Sequence, residues 1–118
     1  MVPVNELDQL RDQLRAFATE RDWDQFHSAK NLASALSVEA SELLENFQWL
    51  TEEQSGSLTP DALEAVRLEI ADVLLYLIRL SDKLGIDPIA AAKAKLILNA
   101  QKYPVDKARG SSKKYTEF

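Results

Sequence analysis

Apolar residues recur at intervals of three and four along most of this chain, the spacing that one face of an α-helix produces. Between Leu7 and Phe17, apolar side chains follow one another at spacings of 3, 4 and 3. This stripe predicts an amphipathic first helix over residues 4–21, and core packing explains it fully. An aromatic-rich connector, residues 22–27, then breaks the pattern.

Three further helices are predicted, each from its start and stop signals. Ser28 and Thr59 are suitable N-caps, and Thr59 is followed by a proline that suits the first helical position. Gly85 is a suitable C-terminal stop for the helix that begins after Thr59. The predicted helices occupy residues 28–50, 60–84 and 88–103, with a loop at 51–58 and an irregular basic tail at 105–118.

Signals for β-strands are nearly absent, so the predicted fold class is all-α, a four-helix-type bundle in a single domain over residues 1–118. Its long second and third helices should be antiparallel neighbours. Between Leu68 and Leu80 the third helix is apolar on almost every side. A small bundle cannot cover so much apolar surface, so we expect a homo-oligomer.

Composition excludes several classes of protein. The 118 residues suffice for one core, and the lack of cysteine excludes disulfides and thiolate metal sites, which fits a cytoplasmic protein. The N-terminus does not have the pattern of a signal peptide. No apolar run reaches the roughly 20 residues that span a bilayer, so no membrane partner is expected.

The charge is acidic overall but unevenly distributed. The formal net charge is −5; residues 1–92 carry 17 acidic and 7 basic residues, whereas residues 93–118 carry 7 basic and 2 acidic ones. An acidic chain is a poor match for a nucleic-acid partner, which requires a continuous basic surface. The basic segment either lies on its own acidic domain or in solvent, or it binds phosphate groups.

Four carboxylates stand beside apolar stripes. Glu39 and Glu42 are three residues apart, as are Glu69 and Asp72, so each pair shares a helical face. Such a pair alone usually belongs to a solvated face. Two pairs converging from neighbouring helices would repel strongly, and a bound cation would relieve that repulsion. Oxygen ligands favour Mg²⁺ or Mn²⁺ over Zn²⁺, and the lack of Glu-x-x-His argues against a di-iron centre. Spacing alone leaves the solvated face and the metal site open.

The connector 22–27 contains Trp23, Phe26 and His27. Its aromatic side chains either plug the core or form a wall of a ligand pocket, since aromatic faces can stack on a base. His27 is the only histidine, and a structural role for it is favoured over metal ligation.

The carboxylate spacing resembles the signature of the MazG-like all-α nucleoside triphosphate pyrophosphohydrolases, and the chain is most similar to their dCTP pyrophosphatase branch. The similarity extends beyond the metal motif over nearly the whole chain. Its segments are Glu-Arg-Asp-Trp-Asp-Gln-Phe-His (20–27), Asn-Phe-Gln-Trp (46–49), Glu-Ile-Ala-Asp-Val-Leu-Leu-Tyr-Leu (69–77), Lys-Tyr-Pro-Val (102–105) and Ser-Ser-Lys-Lys-Tyr-Thr-Glu (111–117).

This resemblance implies Mg²⁺-dependent hydrolysis of a nucleoside triphosphate, dCTP or a modified dCTP, to the monophosphate and pyrophosphate. It also implies a homodimer or homotetramer. A water would attack the α-phosphorus, and the sequence leaves the identity of its base open. The implied catalytic residues and metal ligands are Glu39, Glu42, Glu69 and Asp72.

The resemblance also assigns the substrate-binding residues. Trp23 and Trp49 would border the base, and Tyr76 would lie near the sugar or base. One departure is Val38, where many superfamily members carry a further glutamate, so no extra metal ligand is expected there. The remaining implied nucleotide-binding residues, which in one arrangement act across a subunit boundary, are Asn99, Lys102, Tyr103, Lys113, Lys114 and Tyr115.

Two other functions stay open at this point. The same fold could act on another pyrimidine triphosphate such as dUTP, because discrimination between bases rests on fine details of pocket shape. Alternatively, the chain could be a non-catalytic helical module that presents its acidic cluster to a partner. Carboxylates at all four positions favour an enzyme over the module.

Overall fold

Six α-helices and two 3₁₀ turns make up residues 5–118, the part of the chain that this computed structural model describes. No residue in that part forms a β-strand, so the all-α prediction is confirmed. The α-helices are α1 (Glu6–Glu20), α2 (Ala29–Glu45), α3 (Glu52–Ser55), α4 (Pro60–Lys83), α5 (Pro88–Lys102) and α6 (Val105–Ala108), and the 3₁₀ turns are Asp24–Phe26 and Tyr115–Glu117.

The predicted helix starts are made by side-chain caps. The Ser28 hydroxyl accepts a hydrogen bond from the Asn31 amide at 3.1 Å and so begins α2. The Thr59 hydroxyl accepts one from the Ala62 amide at 3.2 Å and so begins α4. Gly85, just beyond α4, has a φ of +68°, a conformation that residues with a Cβ rarely adopt.

Three segments differ from the expectations. Helix α2 ends at Glu45 rather than near residue 50, because the Asn46 side chain donates a hydrogen bond to the Glu42 carbonyl at 3.1 Å. The amides of Asn46 and Phe47 then bond to carbonyls three residues earlier, as in a tighter turn. The expected loop 51–58 contains α3, which is begun by a capping box between Thr51 and Gln54. The expected irregular tail contains α6 and the second 3₁₀ turn.

The chain divides into two compact units, one that ends at Gly85 and one that spans Ile86–Phe118. In the first unit, α2 and α4 pack together most extensively, as expected for the two long central helices, and α1 packs on α4. The second unit contains α5, α6 and the second 3₁₀ turn. The assignment of residues 1–118 to a single domain stays a prediction.

Helix α4 is only partly covered in the single chain. Its buried residues are Val66, Ile78, Arg79 and Ser81, two of which are polar. Four of the five large apolar side chains of α4 that remain more than 40% exposed lie on one face, and at 100° per residue this face points away from Asp72. These four are Leu63, Ile70, Leu74 and Leu77, whereas the fifth, Leu68, lies on the side of Asp72.

Within residues 5–118, no helix combines the length and the apolar character needed to cross a membrane.

Candidate metal centre and adjoining cavity

Three carboxylates from two helices converge at one point. Glu39 lies on α2, and Glu69 and Asp72 lie one turn apart on α4. One carboxylate oxygen from each lies within 4.8 Å of the other two. The packing of α2 on α4 therefore brings Glu39, from one predicted pair, next to both members of the other pair.

The environment of these carboxylates is unusual. Glu39 and Glu69 are half-buried, and the Oε2 atom of each is closed to solvent and accepts no hydrogen bond from any residue in the described part of the chain. Burial raises the pKa of Glu39 to about 7, and the neighbouring Glu42 carboxylate adds to this shift. Burial also raises the pKa of Glu69, again with a contribution from Glu42.

These residues fit a bound divalent cation. Buried polar atoms are nearly always hydrogen-bonded, and two carboxylate oxygens without partners in one small region need an explanation. A cation would satisfy both oxygens and would remove the repulsion between the three carboxylates. Glu42 lies outside the converging triad but close enough for its charge to act on Glu39 and Glu69.

A cavity of about 200 Å³ adjoins this centre within the first unit. Asp72 belongs to both the triad and the cavity wall. The Trp23 ring meets Phe17 edge-on, with ring centroids 5.6 Å apart, and stands 6.2 Å from the His27 ring. The wall residues that bear on ligand binding are Phe17, Trp23, His27, Asp72, Tyr76 and Arg79.

A polar network borders the cavity, and sequence reasoning missed it. Arg79, 7% exposed, forms an ion pair with Asp24, and its Nε donates a hydrogen bond to His27 Nδ1 at 3.2 Å. Its Nη1 lies 3.6 Å from Asp82, which accepts a hydrogen bond from Arg15 Nε at 2.7 Å. The sequence holds one signal of this network: Arg79 is a charged residue within the otherwise apolar run from residue 73 to 80.

The structure separates the residues predicted to border the base. Trp23 and Tyr76 both line the cavity, beside Asp72. Trp49 follows α2, is 87% exposed and does not line the cavity. Val38 is exposed as well. A role in base binding therefore has a structural basis for Trp23 and Tyr76, and for Trp49 it stays a prediction.

In the second unit, predicted nucleotide-binding residues form a cluster of their own. The Tyr103 ring meets those of Tyr115 and Phe118 edge-on, with centroids 5.9 and 5.7 Å away, and Lys102 Nζ lies 4.9 Å from the Tyr115 centroid. The Asn99 carbonyl accepts a hydrogen bond from the Tyr103 amide at 2.8 Å, and Lys114 is exposed. A separate cavity of about 310 Å³ is lined by Lys107, Ser111, Lys113, Glu117 and Phe118.

An all-α fold with a cluster of carboxylates between two central helices defines a helical protein with an acidic metal-type centre. The MazG-like family model matches residues 34–118, and this chain belongs to that family. It is 41% identical to dCTP pyrophosphatase 1 of Homo sapiens, in an alignment that covers 98% of this chain and 69% of the human protein. The Mus musculus dCTP pyrophosphatase 1 is 40% identical, with the same coverage.

A solved structure supports the same relationship. The crystal structure of a pyrophosphatase from Archaeoglobus fulgidus superposes with a TM-score of 0.82 and 40% sequence identity, covering 88% of this chain and 97% of the archaeal chain. The predicted resemblance to the MazG-like proteins and their dCTP pyrophosphatase branch is confirmed.

Proposed function

We propose that this protein hydrolyses dCTP or a modified dCTP to the monophosphate and pyrophosphate, with Mg²⁺ as its cofactor and Mn²⁺ as a substitute. The enzyme class, a nucleoside triphosphate pyrophosphohydrolase, follows from its family and from relatives that are dCTP pyrophosphatases. The choice of base and of metal is our proposal.

The pair of unsatisfied carboxylate oxygens on Glu39 and Glu69 carries this proposal. An all-oxygen ligand set suits a hard cation, and Mg²⁺ held by few carboxylates keeps open positions for substrate phosphates. Glu39, Glu69 and Asp72 would hold the ion, with Glu42 beside them. When bound, Mg²⁺ would neutralise charge on the phosphoryl oxygens in this acidic centre.

The protein's own residues have distinct parts in the reaction. Glu42, which does not belong to the converging triad, would orient and deprotonate the attacking water. The cavity next to Asp72 would hold the nucleoside beside Trp23 and Tyr76, because the flat faces of aromatic side chains can stack on a base. The Lys113 side chain, in the basic cavity of the second unit, would bind phosphate.

We further propose that the protein is a homo-oligomer. The exposed apolar face of α4 supports this, because large contiguous apolar patches on a surface mark association sites. The family resemblance suggests a dimer or a tetramer.

A panel of triphosphates tests the proposed reaction. The purified protein is incubated with Mg²⁺ and dCTP, 5-methyl-dCTP, dUTP, dTTP, dATP or dGTP, and pyrophosphate and orthophosphate are measured separately. We expect pyrophosphate rather than orthophosphate, the highest kcat/KM for dCTP or its methylated form, and no turnover in excess EDTA.

Two results would contradict the proposal. Preferred turnover of dUTP would move the function to another pyrimidine triphosphate. No turnover of any triphosphate with Mg²⁺ or Mn²⁺, combined with no rise in melting temperature when either ion is added, would favour the non-catalytic interaction module.

A further inference from the structure

Arg79 on α4 is bonded to the connector, residues 22–27, at two points that flank Trp23. Its Nη2 donates a hydrogen bond to the Asp24 carboxylate, and its Nε donates one to His27 Nδ1 at 3.2 Å. Asp24 directly follows Trp23 in the chain, and the centroid of the His27 ring lies 6.2 Å from that of the Trp23 ring. Helix α4 therefore holds the connector on both sides of this tryptophan.

The guanidinium of Arg79 is in turn anchored toward α1. Asp82, one turn further along α4, has a carboxylate oxygen 3.6 Å from Arg79 Nη1, and the two side chains are only 10% and 9% exposed. Asp82 also accepts a hydrogen bond from Arg15 Nε, on α1, at 2.7 Å. A chain of charged pairs therefore runs from α1 through α4 to the connector, and carboxylates on two sides balance the charge of Arg79.

The other side-chain hydrogen bonds of the connector are local. The Thr19 hydroxyl donates to Asp24 at 3.1 Å, and Gln25 Nε2 donates to the Asp22 carbonyl at 3.1 Å. Asn31 Nδ2 donates to the Phe26 carbonyl at 2.9 Å. Among residues 5–118, only the hydrogen bonds from Arg79 tie a connector side chain to a residue more than five positions away. The polar contacts that determine where the connector lies against α4 are thus those of Arg79.

We propose that Arg79, anchored by Asp82, is a positioning residue that fixes the connector against α4 and so places Trp23 in the cavity wall. This inference rests on the proposed function, in which the cavity holds the nucleoside. Arg79 acts through the connector rather than on the substrate, because its charge is already balanced by two carboxylates. A displaced Trp23 would weaken nucleoside binding but would leave the carboxylate centre, and with it the chemical step, unchanged.

Asp24→Asn tests this role from the half-exposed side of the ion pair, where the change is compatible with folding. We expect KM for the triphosphate that wild type prefers to rise about 10-fold, with kcat nearly unchanged, because a charged hydrogen bond is lost. If Arg79 bound the nucleotide directly, Asp24→Asn would free its charge, and KM would stay the same or fall. That result would overturn the proposal.

Two further variants show whether the carboxylate itself matters. Asp24→Glu keeps a carboxylate at a half-exposed position and should retain the wild-type KM. Glu64→Gln is the matched control, since it removes the acidic partner of Arg67 in an exposed pair on the same helix. It should leave KM unchanged. A rise in KM in Glu64→Gln equal to that in Asp24→Asn would overturn the assignment to Arg79.

A double-mutant cycle with Arg79→Met separates the ion pair from a general loss of stability. Because both substitutions break the same contact, KM in the double variant should equal KM in Arg79→Met alone. Increases that multiply would show independent roles for the two residues and would overturn the proposal. Asp24→Asn alone still decides the question if Arg79→Met does not fold.

The fluorescence of Trp23 provides a reading that does not depend on turnover. Trp23 and Trp49 are the two tryptophans of the chain, so Trp49→Phe leaves Trp23 as the sole reporter. In that background, Asp24→Asn should increase the quenching of Trp23 by acrylamide, whereas Glu64→Gln should not.

Unchanged quenching together with an unchanged KM in Asp24→Asn would overturn the positioning role while leaving the proposed reaction intact. If wild type releases pyrophosphate from no triphosphate, the proposed reaction itself fails, and the quenching comparison still decides whether Arg79 positions the connector. The two failures are therefore distinguishable.

Discussion

The carboxylates of Glu39 on α2 and Glu69 on α4 approach each other within 4.8 Å, and each has one oxygen that is closed to solvent and has no hydrogen-bond partner among residues 5–118. Two like charges at this distance destabilise the packing of their helices. In the metal-free protein, burial raises the pKa of Glu39 to about 7, and the neighbouring carboxylates, Glu42 first and Glu69 among them, add to this shift. The arrangement is therefore stable when a proton or a cation lies between the two helices.

Removal of one of these carboxylates should abolish turnover without unfolding the protein. In Glu69→Ala we expect kcat/KM to fall by at least about 100-fold, because a ligand to the proposed metal is lost. The helix content, measured by circular dichroism, should stay unchanged. Glu45→Gln, on an exposed position of α2, serves as the control and should retain activity. Full activity in Glu69→Ala would show that the metal assignment is wrong.

The contribution of Glu39 to the stability of the metal-free protein should decrease as the pH rises from about 4.5 to 7. The pKa of Glu39 is 4.5 in an unfolded chain and about 7 in the folded one, so the folded state binds more protons in this range. The stabilisation is complete below the unfolded pKa and is lost as the pH rises through the folded pKa. Melting temperatures in EDTA across this range measure the effect.

Two additions sharpen this pH experiment. Glu39→Gln removes the titrating group, so its melting temperature should vary less with pH over the same range. Added Mg²⁺ should stabilise wild type most above pH 7, where the carboxylates are ionised. The expected sign would be contradicted if, in EDTA, wild type lost no more stability relative to Glu39→Gln between pH 4.5 and 7 than at lower pH.

The ion pair between Arg15 and Asp82 should stabilise the protein less as the pH falls, which is opposite to the pH dependence expected for Glu39. Hydrogen bonds from Arg15 lower the pKa of Asp82 below its ordinary 3.8, with a smaller contribution from the Arg79 charge. This stabilisation is present above the unfolded pKa and is lost as the pH falls through the folded pKa, below 3.8. We therefore expect Arg15→Met to lower the melting temperature at pH 7 by about 2–5 °C.

The difference between Arg15→Met and wild type should shrink as the pH falls below 3.8, the ordinary pKa of Asp82. Arg67→Met, which breaks an exposed pair with Glu64, is the control and should have a smaller effect at pH 7. An Arg15→Met deficit that persists unchanged at the lowest pH would assign the effect to lost packing rather than to the ion pair.

A charge on the exposed apolar face of α4 should disrupt self-association. Ile70, 53% exposed, points away from the carboxylate centre, so Ile70→Glu should reduce the molar mass measured by light scattering toward that of the monomer. Glu64→Gln, on the same helix but off this face, should leave the mass unchanged. A wild-type protein that is monomeric at high concentration would contradict the proposed oligomer.

Local patterns predicted the helices well because caps and periodicity act over a few residues. Ser28 and Thr59 begin helices where their side chains can satisfy free amides, and Gly85 follows α4 with the backbone conformation expected of it. The end of α2 was misplaced because the apolar pattern continues past Glu45, whereas the Asn46 side chain competes for a helical carbonyl.

The polar network shows where local patterns reach their limit. Arg79 lies 52 residues from His27 and 55 from Asp24 in sequence, and each of the three side chains would suit a solvated surface. Nothing in their local spacing predicts that they meet, since only the packing of α4 against the connector brings them together. Trp49 illustrates the converse, because it belongs to an aromatic cluster in the sequence and yet is 87% exposed in the single chain.

The sequence by itself determined the all-α class, the positions of the long helices and the two pairs of carboxylates that share a helical face, because helix periodicity and capping are local properties. Only the tertiary structure decided which of those carboxylates converge and which are left without partners. It also decided that Asp72 belongs both to the acidic centre and to the cavity wall, and that Arg79 and His27 meet in that wall. The physical reason is that desolvation and charge proximity depend on how the helices pack, and helices with the same pattern can pack in several ways.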